Sequence, residues 1–127
     1  MRSLVLALLL LLCLAPAAAA FEDATPAIDP NDPVLNAAAR QMAVDHWGPV
    51  CGGADVGWYW THVPNVDGNL VNAQAHWIGF AGQPATYVEC SIAFNYDAVD
   101  SNGRGWTWPK LCTVAMHEWG HLAGAGL

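Results

Sequence analysis

The sequence predicts an α+β fold: an N-terminal helix, a small twisted mixed sheet with an edge strand, and a C-terminal helix. Three observations predict it. Asp32-Pro33 opens a run with helical spacing of apolar residues. Three stretches between 54 and 96 alternate in strand fashion and are separated by turn-forming clusters. Trp108-Pro109 then introduces the apolar run Leu111-Cys112-Thr113-Val114-Ala115-Met116.

The chain opens with a positive start, Met1-Arg2, followed by a leucine-rich run and then small residues ending in Ala18-Ala19-Ala20. This is the pattern of a secretory signal peptide, residues 1–20, with cleavage before Phe21. The apolar run is too short and wrongly flanked for a transmembrane span, and Cys13 reads as part of its core. The expected location is therefore secreted or extracellular, with no membrane attachment after cleavage. Residues 21–31, rich in Ala, Pro and acid, read as an extended lead-in, with a short inhibitory propeptide as the alternative. Residues 32–127 make one modest domain, expected to be monomeric.

Within that domain Asp32 is placed to cap the first helix and Pro33 to occupy its first position. Val34, Leu35, Ala38, Met42 and His46 follow a helical stripe, and Gly48-Pro49 ends it. His46 sits near the helix-end carbonyls and reads as a helix-end residue rather than a ligand. Cys51-Gly52-Gly53 is a turn. A first strand spans 54–63, with Trp58 and Trp60 on one face and Tyr59 on the other. The cluster 64–69 is a turn. A second strand spans 70–80 and a third spans 85–96, with a break at Gly82-Gln83-Pro84. Residues 97–108 form a polar loop, and Trp106 and Trp108 are expected to cover the base of the last helix.

The full chain carries a formal net charge of −7, and losing Arg2 with the leader makes it more negative. Such a balance disfavours nucleic acid and anionic membranes as partners. Three cysteines remain after processing, Cys51, Cys90 and Cys112, in a compartment that permits disulfides. The expected pair is Cys90–Cys112, which would tie a strand to the start of the last helix. No C-x-x-C spacing suggests a thiolate zinc site.

The chemistry concentrates in His117-Glu118-Trp119-Gly120-His121. This is an H-E-x-x-H pattern, and on a helix positions i and i+4 share a face, so both imidazoles can reach one metal ion. Imidazole suits Zn²⁺, and the intervening Glu118 is placed to act as general base toward a metal-bound water. The competing reading, two histidines satisfied on an ordinary helix, is disfavoured by the rarity of the pattern.

With Gly124 the stretch becomes His117-Glu118-x-x-His121-x-x-Gly124, which resembles the metzincin zinc peptidases, in particular the matrixin-like group. The resemblance implies a metzincin-like upper subdomain, with the first helix against the sheet, and a secreted zinc metalloendopeptidase. It would hydrolyse a protein or peptide substrate through a zinc-activated water, with His117 and His121 as metal ligands and Glu118 as catalytic base. In the family a third histidine follows the glycine by three residues. Here that position is Leu127, and the family's Met-containing turn has no counterpart, so the catalytic domain is expected to be incomplete at its C-terminus. His62, His76 and the Leu127 carboxylate are weaker candidates for the missing ligand.

The resemblance further implies that the strand through Cys90-Ser91-Ile92-Ala93-Phe94-Asn95 is the edge on which substrate pairs, with an ordinary sheet strand as the alternative. Calcium is common in the family and is a minor expectation at the 97–108 loop, whose spacing does not fit an EF-hand. The alternative function is a catalytically weak or inactive secreted module that binds zinc or presents an aromatic-rich surface.

Overall fold

A computed structural model describes residues 26–53, 55–99 and 103–126. The signal-peptide assignment therefore lies outside the described residues, as does the Leu127 carboxylate. Among the described residues the fold is α+β, with two α-helices and a three-stranded mixed sheet: α1 (Pro33–Trp47), β1 (Gly57–Thr61), β2 (Ala73–Ile78), β3 (Val88–Asn95) and α2 (Trp108–Leu122). No described helix is long and apolar enough to cross a membrane.

Helix α1 starts where its cap requires. The Asp32 carboxylate accepts from the backbone N–H of Val34 at 2.8 Å and of Leu35 at 3.2 Å, satisfying two of the donors that a helix start leaves free. At the other end Gly48, with φ of 81°, turns the chain out and donates to the Val44 carbonyl. The buried stripe differs from the sequence expectation. Val34 and Met42 are largely exposed and Ala38 is exposed, while Ala39 and Ala43 are fully buried and Leu35 is half-buried. The rotation has a polar cause. Asn36 faces the sheet, and its Oδ1 accepts from both Trp58 Nε1 (2.7 Å) and Trp60 Nε1 (2.9 Å). Its Nδ2 donates to the carbonyls of Pro30 and Asp32. One amide thus fixes two β1 tryptophans and the helix start, and the small Ala39 and Ala43 accompany it into the core.

The strand order is β1-β3-β2, with β1 parallel and β2 antiparallel to β3. β3 is therefore central, which corrects its expected role as the edge strand. The physical reason is burial on both faces: Ile92, Ala93, Phe94 and Asn95 are all buried, the profile of a strand hydrogen-bonded on both sides. Among the described residues the free edges belong to β1 and β2. Trp58 and Trp60 turn inward onto Phe94, and Tyr59 turns outward, as their alternation predicts. Trp106 closes the cluster edge-on to Trp60 and Phe94, and its Nε1 donates to the Asn95 carbonyl at 2.7 Å. Ahead of α1, Ala27 bridges Thr107, and Ile28 N–H donates to the Trp106 carbonyl.

The disulfide is Cys51–Cys90, not Cys90–Cys112. Cys112 is buried on α2 with its thiol 3.7 Å from Met42 Sδ on α1, so it faces the helix pair and away from Cys90. Burial pushes the Cys112 thiol above its ordinary pKa, which keeps it protonated and unreactive. The bridge spans a sequence separation of 39 residues, for which chain entropy gives about 4 kcal/mol. Reduction, or Cys51→Ser, is expected to lower unfolding stability by roughly that amount in denaturant titrations. A change under about 1 kcal/mol would contradict the pairing.

Candidate metal centre

Helix α2 begins at Trp108, with Thr107 as its cap accepting from Lys110 N–H and Pro109 at the second helical position. Its buried stripe is Leu111, Cys112, Ala115, Glu118, Trp119 and Leu122. Two indoles clamp it to α1. Trp47 Nε1 donates to the Met116 carbonyl at 2.9 Å, and Trp119 Nε1 donates to the Gly48 carbonyl at 3.0 Å. These bonds flank His117 and Glu118 in sequence, so they fix the rotation and height of the turn that carries the motif.

The helix ends in a two-bond C-cap. Gly124 N–H donates to the His121 carbonyl and Ala125 N–H to the Gly120 carbonyl, the pairing of a Schellman motif. Gly124 has φ of +83°, and a Cβ there would lie 2.8 Å from Pro84 Cγ. Gly124→Ala therefore meets both backbone strain and a clash with a rigid ring. It is expected to cost about 1–3 kcal/mol, read as a lowered Tm. An unchanged Tm would contradict the turn.

His117 and His121 project from one face of α2 into a cleft beside β2. Their Nε2 atoms are 3.1 Å apart, with ring planes at 88°. Two lone pairs at that distance repel unless a proton or a cation lies between them. Two imidazoles on a tetrahedral zinc, with Zn–N bonds of about 2.0–2.1 Å, would hold their nitrogens about 3.3 Å apart. The observed convergence thus fits zinc as two of its ligands. Among the described residues no group of three or more His, Cys, Asp or Glu side chains gathers around a common point.

Glu118 is buried apart from its opening onto the cleft. That cleft has two arms. One, of about 380 Å³, runs along Ala73–Trp77 of β2 and is bounded by His117, Glu118 and His121. The other, of about 350 Å³, lies toward the start of α2, between Asn72, Thr113 and Val114. Ala73, His117 and Glu118 belong to both.

The weaker ligand candidates separate. His76 stands in the wall of the first arm. His62 is engaged elsewhere, its Nδ1 2.7 Å from an Asp97 carboxylate oxygen in an exposed pair. That pair also occupies the first acid of the 97–108 loop, and residues 100–102 of that loop lie outside the described residues. His46 is an exposed helix-end residue. The sequence reading missed β2 as the cleft wall. A signal for it was present in the small residues Ala73 and Ala75 alternating with Gln74 and His76, the pattern of a strand with one close-packed and one open face.

No protein-family model, no curated protein and no solved structure matches this chain.

Proposed function

We propose that the chain is a secreted zinc-dependent metalloendopeptidase of the matrixin-like, metzincin kind, with His117 and His121 as metal ligands and Glu118 as general base. The observation that carries the reading is the convergence of the two Nε2 atoms at 3.1 Å with Glu118 opening onto the same cleft. Secretion rests on the leader-like residues 1–20. Bound zinc supplies a Lewis acid that polarises a carbonyl and lowers the pKa of a coordinated water toward ~7.

The chain's own residues do the rest. Glu118 takes a proton on its carboxylate during attack and returns it to the leaving amine. The free edge of β2 holds the peptide. Asn95 N–H donates to the Asn72 carbonyl at 2.9 Å, and the register continues Ala73↔Phe94, Gln74↔Ala93 and Ala75↔Ile92. In an antiparallel ladder the hydrogen-bonded pairs alternate. Asn72 and Gln74 therefore bond β3, while Ala73 and Ala75 direct their N–H and C=O groups outward, beside His117 and Glu118. An extended substrate can add there as a further strand. The substrate edge is thus β2, the strand next to the one expected from sequence.

A second reading is a secreted zinc-binding module without hydrolysis. It is favoured by the presence of only two converging imidazoles among the described residues. Leu127→His places a histidine where the resembled family has its third ligand. The peptidase reading predicts zinc-dependent cleavage of an unfolded protein by that variant. Zinc binding with no cleavage would favour the module.

A further inference from the structure

Residues 73, 75 and 77 of β2 pack toward the core, while residues 74, 76 and 78 face outward on the opposite side of the strand. Those three outward side chains are Gln74, His76 and Ile78, with His76 exposed and Ile78 58% exposed. Gln74 and His76 also line the cleft that holds the two imidazoles and Glu118. Ile78 pairs with Val88 beyond a register shift that follows His76; the extra residue lies on β3, so β2 keeps its alternation, and with Val88 53% exposed the apolar position is a two-residue patch.

A strand added to this edge shares its pleat, so its side chains alternate between the same two faces. If it adds antiparallel to β2, its hydrogen bonds form at Ala73 and Ala75. Residues opposite Gln74 and His76 are then in non-hydrogen-bonded pairs, where side chains approach most closely. Antiparallel pairing is also the more stable of the two arrangements. Gln74 offers amide N–H groups and a carbonyl oxygen, and His76 one ring donor and one ring acceptor, so both positions can pair with a carboxamide and can donate to a carboxylate. Ile78 and Val88 offer only apolar contact.

We propose that Gln74, His76 and Ile78 form a three-position reading face. It selects extended peptides bearing an apolar residue, then carboxylate or carboxamide residues two and four positions further toward their C-terminus. The proposal rests on edge addition to β2 and deepens the peptidase reading by naming the substrate class. The apolar residue meets Ile78 and Val88, and the two acceptor side chains meet His76 and Gln74. Backbone bonds to Ala73 and Ala75 supply affinity common to all sequences, and the outer face supplies the discrimination.

The test separates capture from hydrolysis by using the Glu118→Gln chain. Binding of acetyl-Thr-Ile-Thr-Glu-Thr-Glu-Thr-amide is compared with that of the same peptide carrying alanine in place of Ile and both Glu, by isothermal titration. The first is expected to bind about 10-fold more tightly, from two modest hydrogen bonds and one apolar contact. In a Gln74→Ala, His76→Ala, Ile78→Thr triple variant the ratio is expected to fall to within about twofold, with affinity for the alanine peptide retained. A ratio near one in the parent, or an undiminished ratio in the triple variant, overturns the proposal. Absence of binding by either peptide overturns it together with edge addition. Failure of hydrolysis in the Leu127→His chain leaves this result untouched. If circular dichroism shows the triple variant unfolded, single substitutions at the exposed His76 and Ile78 carry the same comparison, each expected to lower the ratio at its own peptide position only.

Discussion

Glu118→Gln, introduced into the Leu127→His chain, is expected to reduce zinc-dependent peptide hydrolysis by about 10²–10⁴-fold while leaving zinc affinity within about twofold. The substitution preserves shape and removes only the ability to hold and return a proton. Glu118 is 7% exposed and opens onto the cleft between β2 and the imidazole pair, so the change meets the reacting groups and not the fold. Its neighbours in the helix, Met116 and Trp119, remain clamped through Trp47 and Gly48, so the ligand geometry should survive. The measurement is initial cleavage rate on a fluorogenic unfolded substrate, with zinc affinity determined in parallel. Equal rates for the two chains would show that any cleavage arises from another group or from contamination.

The second large effect is structural. Asn95→Ala is expected to cost about 3–5 kcal/mol and to lower Tm by more than about 10 °C. Asn95 is fully buried at the end of β3 and serves three segments at once. Its Oδ1 accepts from Val63 N–H at 3.2 Å and Asp97 N–H at 3.0 Å. Its Nδ2 donates to the carbonyls of Val71 at 2.7 Å and Val63 at 3.4 Å. Truncation strips partners from backbone groups on the exit from β1, the approach to β2 and the loop toward α2. Asn95→Asp keeps the acceptor but turns a negative oxygen toward two carbonyls, so it is expected to be at least as damaging. A loss under about 1 kcal/mol for either change would mean that water replaces the amide without penalty. The approach to β2 forms one side of the cleft beside His117 and Glu118, so this residue also holds that cleft wall in place.

What was legible in the sequence was local. The Asp32 cap, the opposite orientation of Trp58 and Tyr59, the Val66–Asn69 turn and the helical placement of His117 and His121 each depend on residues within a few positions of one another. What was not legible was long-range. β1 pairs with β3 across the intervening β2, a choice made by burial on both faces of Ile92–Asn95 and by no short motif. The disulfide partner of Cys90 follows from that sheet order, because β3 lies beside the turn that carries Cys51 and Cys112 faces α1. The rotation of α1 follows from one amide bonded to two distant indoles, a cross-element contact that apolar periodicity does not register. The site followed the same division. Its imidazoles and carboxylate were readable as a motif, whereas its β2 wall required the sheet order.

The most direct test of the account is zinc binding by residues 21–127, measured by competition against a chromophoric chelator, for the parent chain and for His117→Ala and His121→Ala. The account predicts one zinc per chain in the parent, and a loss of at least about 10-fold in affinity for each substitution with the fold retained by circular dichroism. Zinc binding unchanged by either substitution, or no zinc bound by the folded parent chain at all, would contradict the claim that His117 and His121 form a metal centre.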